Sequence, residues 1–131
     1  MSVTKQVEHI DSYAKAGANI PAYRGLSITS AGVATLAGAG DPIDGISLND
    51  ASECGSVHVL EQGLTCMKVA TAAGITAKSI AAVNATGQLI ALAGSSNKGN
   101  VLVVNAPAAD GDLVQVYFDA YNLSNITEGA D

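Results

Sequence analysis

Residues 56–69 read Ser-Val-His-Val-Leu-Glu-Gln-Gly-Leu-Thr-Cys-Met-Lys-Val, and their reading decides the fold class. Val57 and Val59 share one face of an extended chain. Thr65, Met67 and Val69 share another. This two-residue alternation marks half-buried strands rather than a helix. Gln62-Gly63 between them is a turn signal, so the stretch reads as a hairpin of Ser56 to Glu61 and Leu64 to Val69. If Glu61-Gln62-Gly63 turns, His58 lies opposite Cys66. If only Gln62-Gly63 turns, Val59 does. Neither register sets Cys54 and Cys66 face to face, so both are expected as free, mostly buried thiols.

Working outward, the same grammar repeats. Gly25 to Thr29 alternates, Ser30-Ala31-Gly32 turns, and Val33 to Leu36 returns. Gly38-Ala39-Gly40-Asp41-Pro42 breaks the chain, and Ile43 to Leu48 resumes. Ile80 to Val83 and Gln88 to Leu92 bracket Asn84-Ala85-Thr86-Gly87 as a second hairpin. Val101 to Val104 is an apolar run. Leu113 to Phe118 is the clearest strand, with Val114, Val116 and Phe118 inward and Gln115 and Tyr117 outward or toward a partner. Ala70 to Ala77 is ambiguous, because alanine permits a helical turn while Gly74 and the β-branched residues around it oppose one. Turn signals about every 8–12 residues argue for a mainly β domain, a compact small barrel or sandwich of short antiparallel strands.

The ends differ from this middle. Residues 1–23 form an N-terminal arm, 24–120 the β domain and 121–131 a polar C-terminal tail. In the arm, Val3, Val7, Ile10 and Ala14 recur at helical spacing, with Gly17 and Pro21 as stop signals. The stripe is narrow, so a short helix and an extended arm are both open readings.

Composition sets the energetics. The 131 residues are 48% hydrophobic but include no Trp, one Phe and four Tyr, with 14 Gly. Small side chains bury little area each, and burial stabilises by ~25 cal/mol per Å². A thin monomer core follows, with stability drawn from a partner or from further copies. The net charge of -6, with no basic cluster, opposes nucleic-acid binding. No apolar run approaches the ~18 residues of a membrane helix. The N-terminus opens polar, so a secretory signal is not expected and synthesis in a cytosol is.

No catalytic constellation emerges, and the chain is read as not an enzyme, with no cofactor, metal or small-molecule substrate. A Cys54, His58 and Cys66 zinc site would need Glu53 or Glu61 as fourth ligand and fits no standard spacing. Cys66 opposite His58 lacks anything to activate a thiol. Gly38 to Asp41 lacks the strand-to-helix setting of a dinucleotide loop. Asp41, Asp44, Asp50 and Glu53 lack calcium-loop spacing and read as a solvated acidic rim. The sequons at Asn84, Asn122 and Asn125 matter only in a secretory pathway.

One order of motifs is informative. It begins with Ala22-Tyr23-Arg24-Gly25-Leu26-Ser27-Ile28, then Asp41-Pro42-Ile43-Asp44-Gly45-Ile46-Ser47-Leu48, then Val57 to Gly63. Ala73-Gly74-Ile75-Thr76-Ala77 precedes Gly87-Gln88-Leu89, and Ala108 to Val116 closes the run. Over about Ala22 to Phe118 the chain resembles the capsid cement, or head decoration, proteins of tailed bacteriophages. It departs from their pattern at Lys78-Ser79, where members often carry Gly-Asp. The resemblance implies a homotrimer on the outer surface of the phage head. There it would bind the major capsid protein and stabilise the shell against packed DNA, after synthesis in the host bacterial cytoplasm. Val7, Ile10, Tyr13, Tyr23 and Arg24 are the capsid-contact candidates, since aromatic residues and Arg dominate hot spots. The alternative is a small acidic β-sandwich binding a ligand such as carbohydrate, with Tyr117 and Tyr121 as its aromatic platform.

Overall fold

The computed structural model describes residues 9–92, 98–120 and 126–127. Eleven strands account for their regular structure: β1 (Ile10–Ala16), β2 (Gly25–Ile28), β3 (Val33–Leu36), β4 (Gly45–Ser47), β5 (Ser56–Lys68), β6 (Ser79–Val83), β7 (Leu89–Ala91), β8 (Lys98–Gly99), β9 (Val101–Val103), β10 (Leu113–Asp119) and β11 (Ile126–Thr127). The described residues contain no helix. The mainly β expectation holds.

Strands β1, β3, β2, β4 and β5 pair in that order, and β1 also pairs with β5. This closes a five-stranded barrel. The β1–β3 contact is parallel and short, Lys15 to Val33 and Ala16 to Ala34, whereas the other barrel pairs are antiparallel. Strands β10, β9, β6 and β7 continue outside the barrel from the second half of β5. Strand β7 comes back to the end of β5 through a parallel bridge between Val69 and Leu89. Strands β8 and β11 form a separate pair.

The hairpin expected at Gln62-Gly63 does not form. Strand β5 runs unbroken for 13 residues through it, about 43 Å at ~3.3 Å per residue. Each half finds distant partners instead of the other half. Val57 and Val59 pair with Ala14 and Ser12 of β1, while Gly63 to Lys68 pair with Phe118 to Leu113 of β10. A glycine signals a turn only because it tolerates unusual φ. Gly63 has φ 141° and spends that freedom on letting a buried, continuous strand pass opposite Phe118.

Of the two readings left open for the arm, residues 10–16 take the extended one: they form β1, which is built into the barrel wall. The helical spacing of Ile10 and Ala14 is outweighed by Ser12, Ala14 and Ala16, small residues two apart that point to one side of a strand. Ala14 and Ala16 are buried while Asp11, Tyr13 and Lys15 are not.

Two cores result. Inside the barrel lie Ala14, Ala16, Ile20, Leu26, Ala34, Val57 and Val59. Eight strands make a barrel just wide enough to be filled by side chains, so five leave room mainly for Ala and Val. Gly45 marks the limit, since a Cβ there would sit 2.3 Å from Val59 Cγ1. The second core, between the barrel wall and the outer strands, holds the larger residues Phe118, Leu60, Met67, Leu89 and Ile46. Asn100 is buried in the structure and bridges this region: Ile43 N–H donates to its Oδ1 at 3.1 Å and its Nδ2 donates to Ile43 O at 2.9 Å.

The sequence-expected turns at Ser30–Gly32, Gly38–Asp41 and Asn84–Gly87 are present. Asn84 Oδ1 accepts from the Thr86 and Gln88 N–H groups, each at 3.0 Å. Residues 70–78 are irregular, without a helical turn long enough to count as a helix.

Candidate functional site

Closing the barrel places an aromatic and imidazole cluster on its outer wall. Tyr13 and His58 are direct partners across the β1–β5 seam. Their rings stack with centroids 4.6 Å apart and planes 12° from parallel. The His58 ring is held by Asp11, with Nε2 2.6 Å from Oδ2. His9 Nε2 lies 3.4 Å from the same oxygen. The hydrogen bond from His58 holds the Asp11 carboxyl below its ordinary pKa; the His58 and His9 charges add to this and partial desolvation opposes it. Nearby, Ser12 Oγ donates to Glu61 Oε2. Tyr13 stays 71% exposed and Ile10 39%.

Of the contact candidates, Ile10 and Tyr13 stand on this wall. Tyr23 and Arg24 do not join them. They sit in the β1–β2 connection at the far end of β5, where the Lys68 N–H donates to Tyr23 O at 3.1 Å. Tyr23 has φ 66° and is half-buried. Arg24 N–H donates to Ser47 Oγ at 3.0 Å, and its Nη1 donates to Thr86 O at 3.3 Å. Its Nε is buried without a hydrogen bond. Arg24 thus ties the barrel to the β6–β7 turn, while Tyr23 is held by Ser47 O and Lys68 N–H. Val7 lies outside the described residues.

The Cys54, His58 and Cys66 grouping is not assembled. His58 faces Tyr13, and Cys66 faces Gln115. Both thiols are free, Cys54 exposed and Cys66 half-buried. Among the described residues no group of His, Cys, Asp and Glu is arranged to hold a metal.

A second surface lies on the outer strands, on the side away from the core. Leu64 of β5 pairs with Tyr117 of β10, Tyr117 with Leu102 of β9, and Leu102 with Ile80 of β6. One apolar row thus crosses four strands. Leu113 extends the face, opposite Lys68, and is 53% exposed; Leu64 is 41% exposed. Cys66 and Gln115 lie between, so the β5–β10 part carries no exposed carboxylate. Asp119 is buried and accepts from Tyr117 Oη at 3.1 Å.

Sequence reasoning reached Ile10, Tyr13 and the outward Tyr117, but missed Asp11, His9 and the pairing with His58. The available signal was the alternation of Ser12, Ala14 and Ala16 with Asp11, Tyr13 and Lys15. It names a strand with an outer face, though not the strand beside it.

No protein-family model matches the sequence. No curated protein matches it either. In three dimensions the chain is similar to the N base of head fiber gp8.5 in bacteriophage phi29, with a TM-score of 0.65 and 18% identity over 92% of this chain and 100% of that one. At this identity the likeness is one of fold.

Proposed function

We propose that this chain is a structural protein of a phage head. It sits on the outer surface of the shell as a homotrimer, contacts the major capsid protein, and stabilises the shell against packed DNA. It catalyses no reaction. The observation that carries this reading is the shared fold with a head fiber base over nearly the whole of both chains. The motif order from Ala22 to Val116 points the same way independently. So does the surface: an oriented, exposed Tyr13 and an apolar row through Leu64 are contact surfaces rather than a pocket. The acidic net charge of -6 suits a face turned away from DNA.

The test is direct. Purified chain is mixed with expanded heads that lack it, and the heads are then heated or osmotically shocked. Saturable binding with delayed DNA release is expected, together with a native mass of three chains in solution. Absence of binding would overturn the reading. The carbohydrate alternative is less favoured, because Tyr117 is half-buried with its hydroxyl engaged by Asp119; Tyr121 lies outside the described residues.

A further inference from the structure

Among the described residues, part of one edge of β1 has no backbone partner. Ala16 N–H donates to Gly55 O at 2.8 Å, so the even-numbered residues of β1 turn their backbone groups toward β5. Lys15 and Gly17 turn the other way and donate to Gly32 O and Ala34 O, at 3.0 and 2.8 Å. The same alternation aims the N–H and C=O of Asp11 and Tyr13 away from β5, toward the side that β3 occupies. Strand β3 starts at Val33, opposite Lys15, and does not reach them. The preceding Thr29–Gly32 stretch is a turn, closed by Gly32 N–H donating to Thr29 O at 2.9 Å. Among the described residues nothing pairs with the edge at Asp11 and Tyr13, and a shallow groove of about 500 Å³ lined by Tyr13, Lys15, Gly32 and Cys54 adjoins it at Tyr13. Unpaired edges are templates for strand addition, and proteins normally cover, bulge or charge them.

We propose that this edge receives an extended strand of the shell subunit, pairing backbone to backbone with Asp11 and Tyr13. The inference rests on the reading of the protein as a head-surface component and specifies how it grips the shell. The side chains define the incoming strand. Tyr13 has one face on His58 and the rest of its ring in solvent, so it takes an apolar residue. Lys15 is exposed and forms no ion pair with a described carboxylate, so it takes an acidic one. Asp11 already has His58 and His9 beside it and makes no demand for a cation.

The experiment compares Tyr13→Pro with Tyr13→Ala on expanded heads lacking the protein. Both variants lose the ring. Only proline also loses the N–H, and that group points away from β5, so the β1–β5 hydrogen bonds of Ser12 and Ala14 remain. Tyr13→Pro is expected to bind about tenfold more weakly than Tyr13→Ala, the loss of roughly one backbone hydrogen bond. Amide exchange on the wild-type chain gives a reading that does not depend on the variant folding. The Asp11 and Tyr13 amides should exchange freely in the free protein and slow on heads, while those of Ser12 and Ala14 are protected in both states. Equal binding of the two variants, or unslowed exchange at Asp11 and Tyr13 in bound protein, overturns the edge and leaves the head-surface reading standing. Failure of the wild-type chain to bind heads overturns both.

Discussion

Tyr13 and His58 stack 4.6 Å apart across the one seam that closes the barrel, β1 against β5. The pair lies outside the core, on a wall whose other side is lined by Ala14 and Val57. It therefore joins two functions in one contact. It fastens the seam, and it fixes the direction of a side chain that remains 71% exposed. Asp11 completes the arrangement by holding the imidazole from the neighbouring register position.

The stack makes a measurable contribution to stability. Aromatic pairs contribute about 0.5–1.5 kcal/mol beyond the area they bury, and an exposed pair belongs at the low end, roughly 0.5 kcal/mol. In a double-mutant cycle of Tyr13→Ala and His58→Ala, urea unfolding of the four proteins should give a coupling energy of that size. Strict additivity would mean that the stack contributes nothing.

Asp11 makes the seam sensitive to acid. The hydrogen bond from His58 holds its folded pKa below the ordinary aspartate value. The unfolded chain therefore binds the proton more readily, and stability from this group rises with pH. The contribution is present above about pH 4 and is lost as pH falls through the lowered folded value. Asp11→Asn should flatten the urea midpoint between pH 5 and pH 2 relative to wild type. An identical acid profile in the variant would show that the His58 contact does not couple to folding. The group is exposed, so the difference should be small and should shrink in high salt.

Much of this fold is legible in local sequence, and the misses share a cause. Leu113 to Phe118 alternates cleanly because one face meets a single core, and that strand is read correctly. Asn84 to Gly87 announces its own hairpin through side-chain bonds to its own backbone. Strands β1 and β5 depend instead on pairings distant in sequence. Ile10 to Ala16 carries too few large residues to show a strand pattern, because its buried positions, Ala14 and Ala16, are both alanine. Gly63 looks like a turn, since nothing local reveals that each half of β5 has a distant partner. The site follows the same division. Exposed Tyr13 can be nominated from residue type alone, whereas its dependence on His58 and Asp11 exists only once the β1–β5 register is set. Tyr23 and Arg24 have the composition of a hot spot, yet their backbone bonds to Ser47 and Lys68 make them struts.

Asn100 offers a sharp test of the second core. Its amide satisfies both the N–H and the C=O of Ile43 inside the protein. Asn100→Ala would strand two buried backbone groups, at about 1–3 kcal/mol each. A loss of roughly 2–6 kcal/mol in denaturant unfolding is expected on that basis. Asn100→Asp keeps the acceptor but not the donor and should be comparably damaging at neutral pH. A loss under about 1 kcal/mol for Asn100→Ala would imply that water replaces the amide.

The apolar row makes a prediction about self-association. Copies carrying a charge of -6 repel one another over most of their surface. The β5–β10 face is the exception, with Leu64 and Leu113 exposed, Lys68 directly opposite Leu113, and no exposed carboxylate. If copies meet there, Leu64→Glu adds a like charge to each copy where desolvation makes it costly. The side chain already projects outward, so the monomer fold should tolerate the change within about 0.5 kcal/mol. The expected result is a native mass that falls to one chain, and a melting temperature that no longer rises with protein concentration. Ser56→Glu, on the barrel wall at the other end of β5, is the control and should leave both unchanged. A Leu64→Glu protein that keeps its oligomeric mass would remove this face from the assembly and leave the row to another partner.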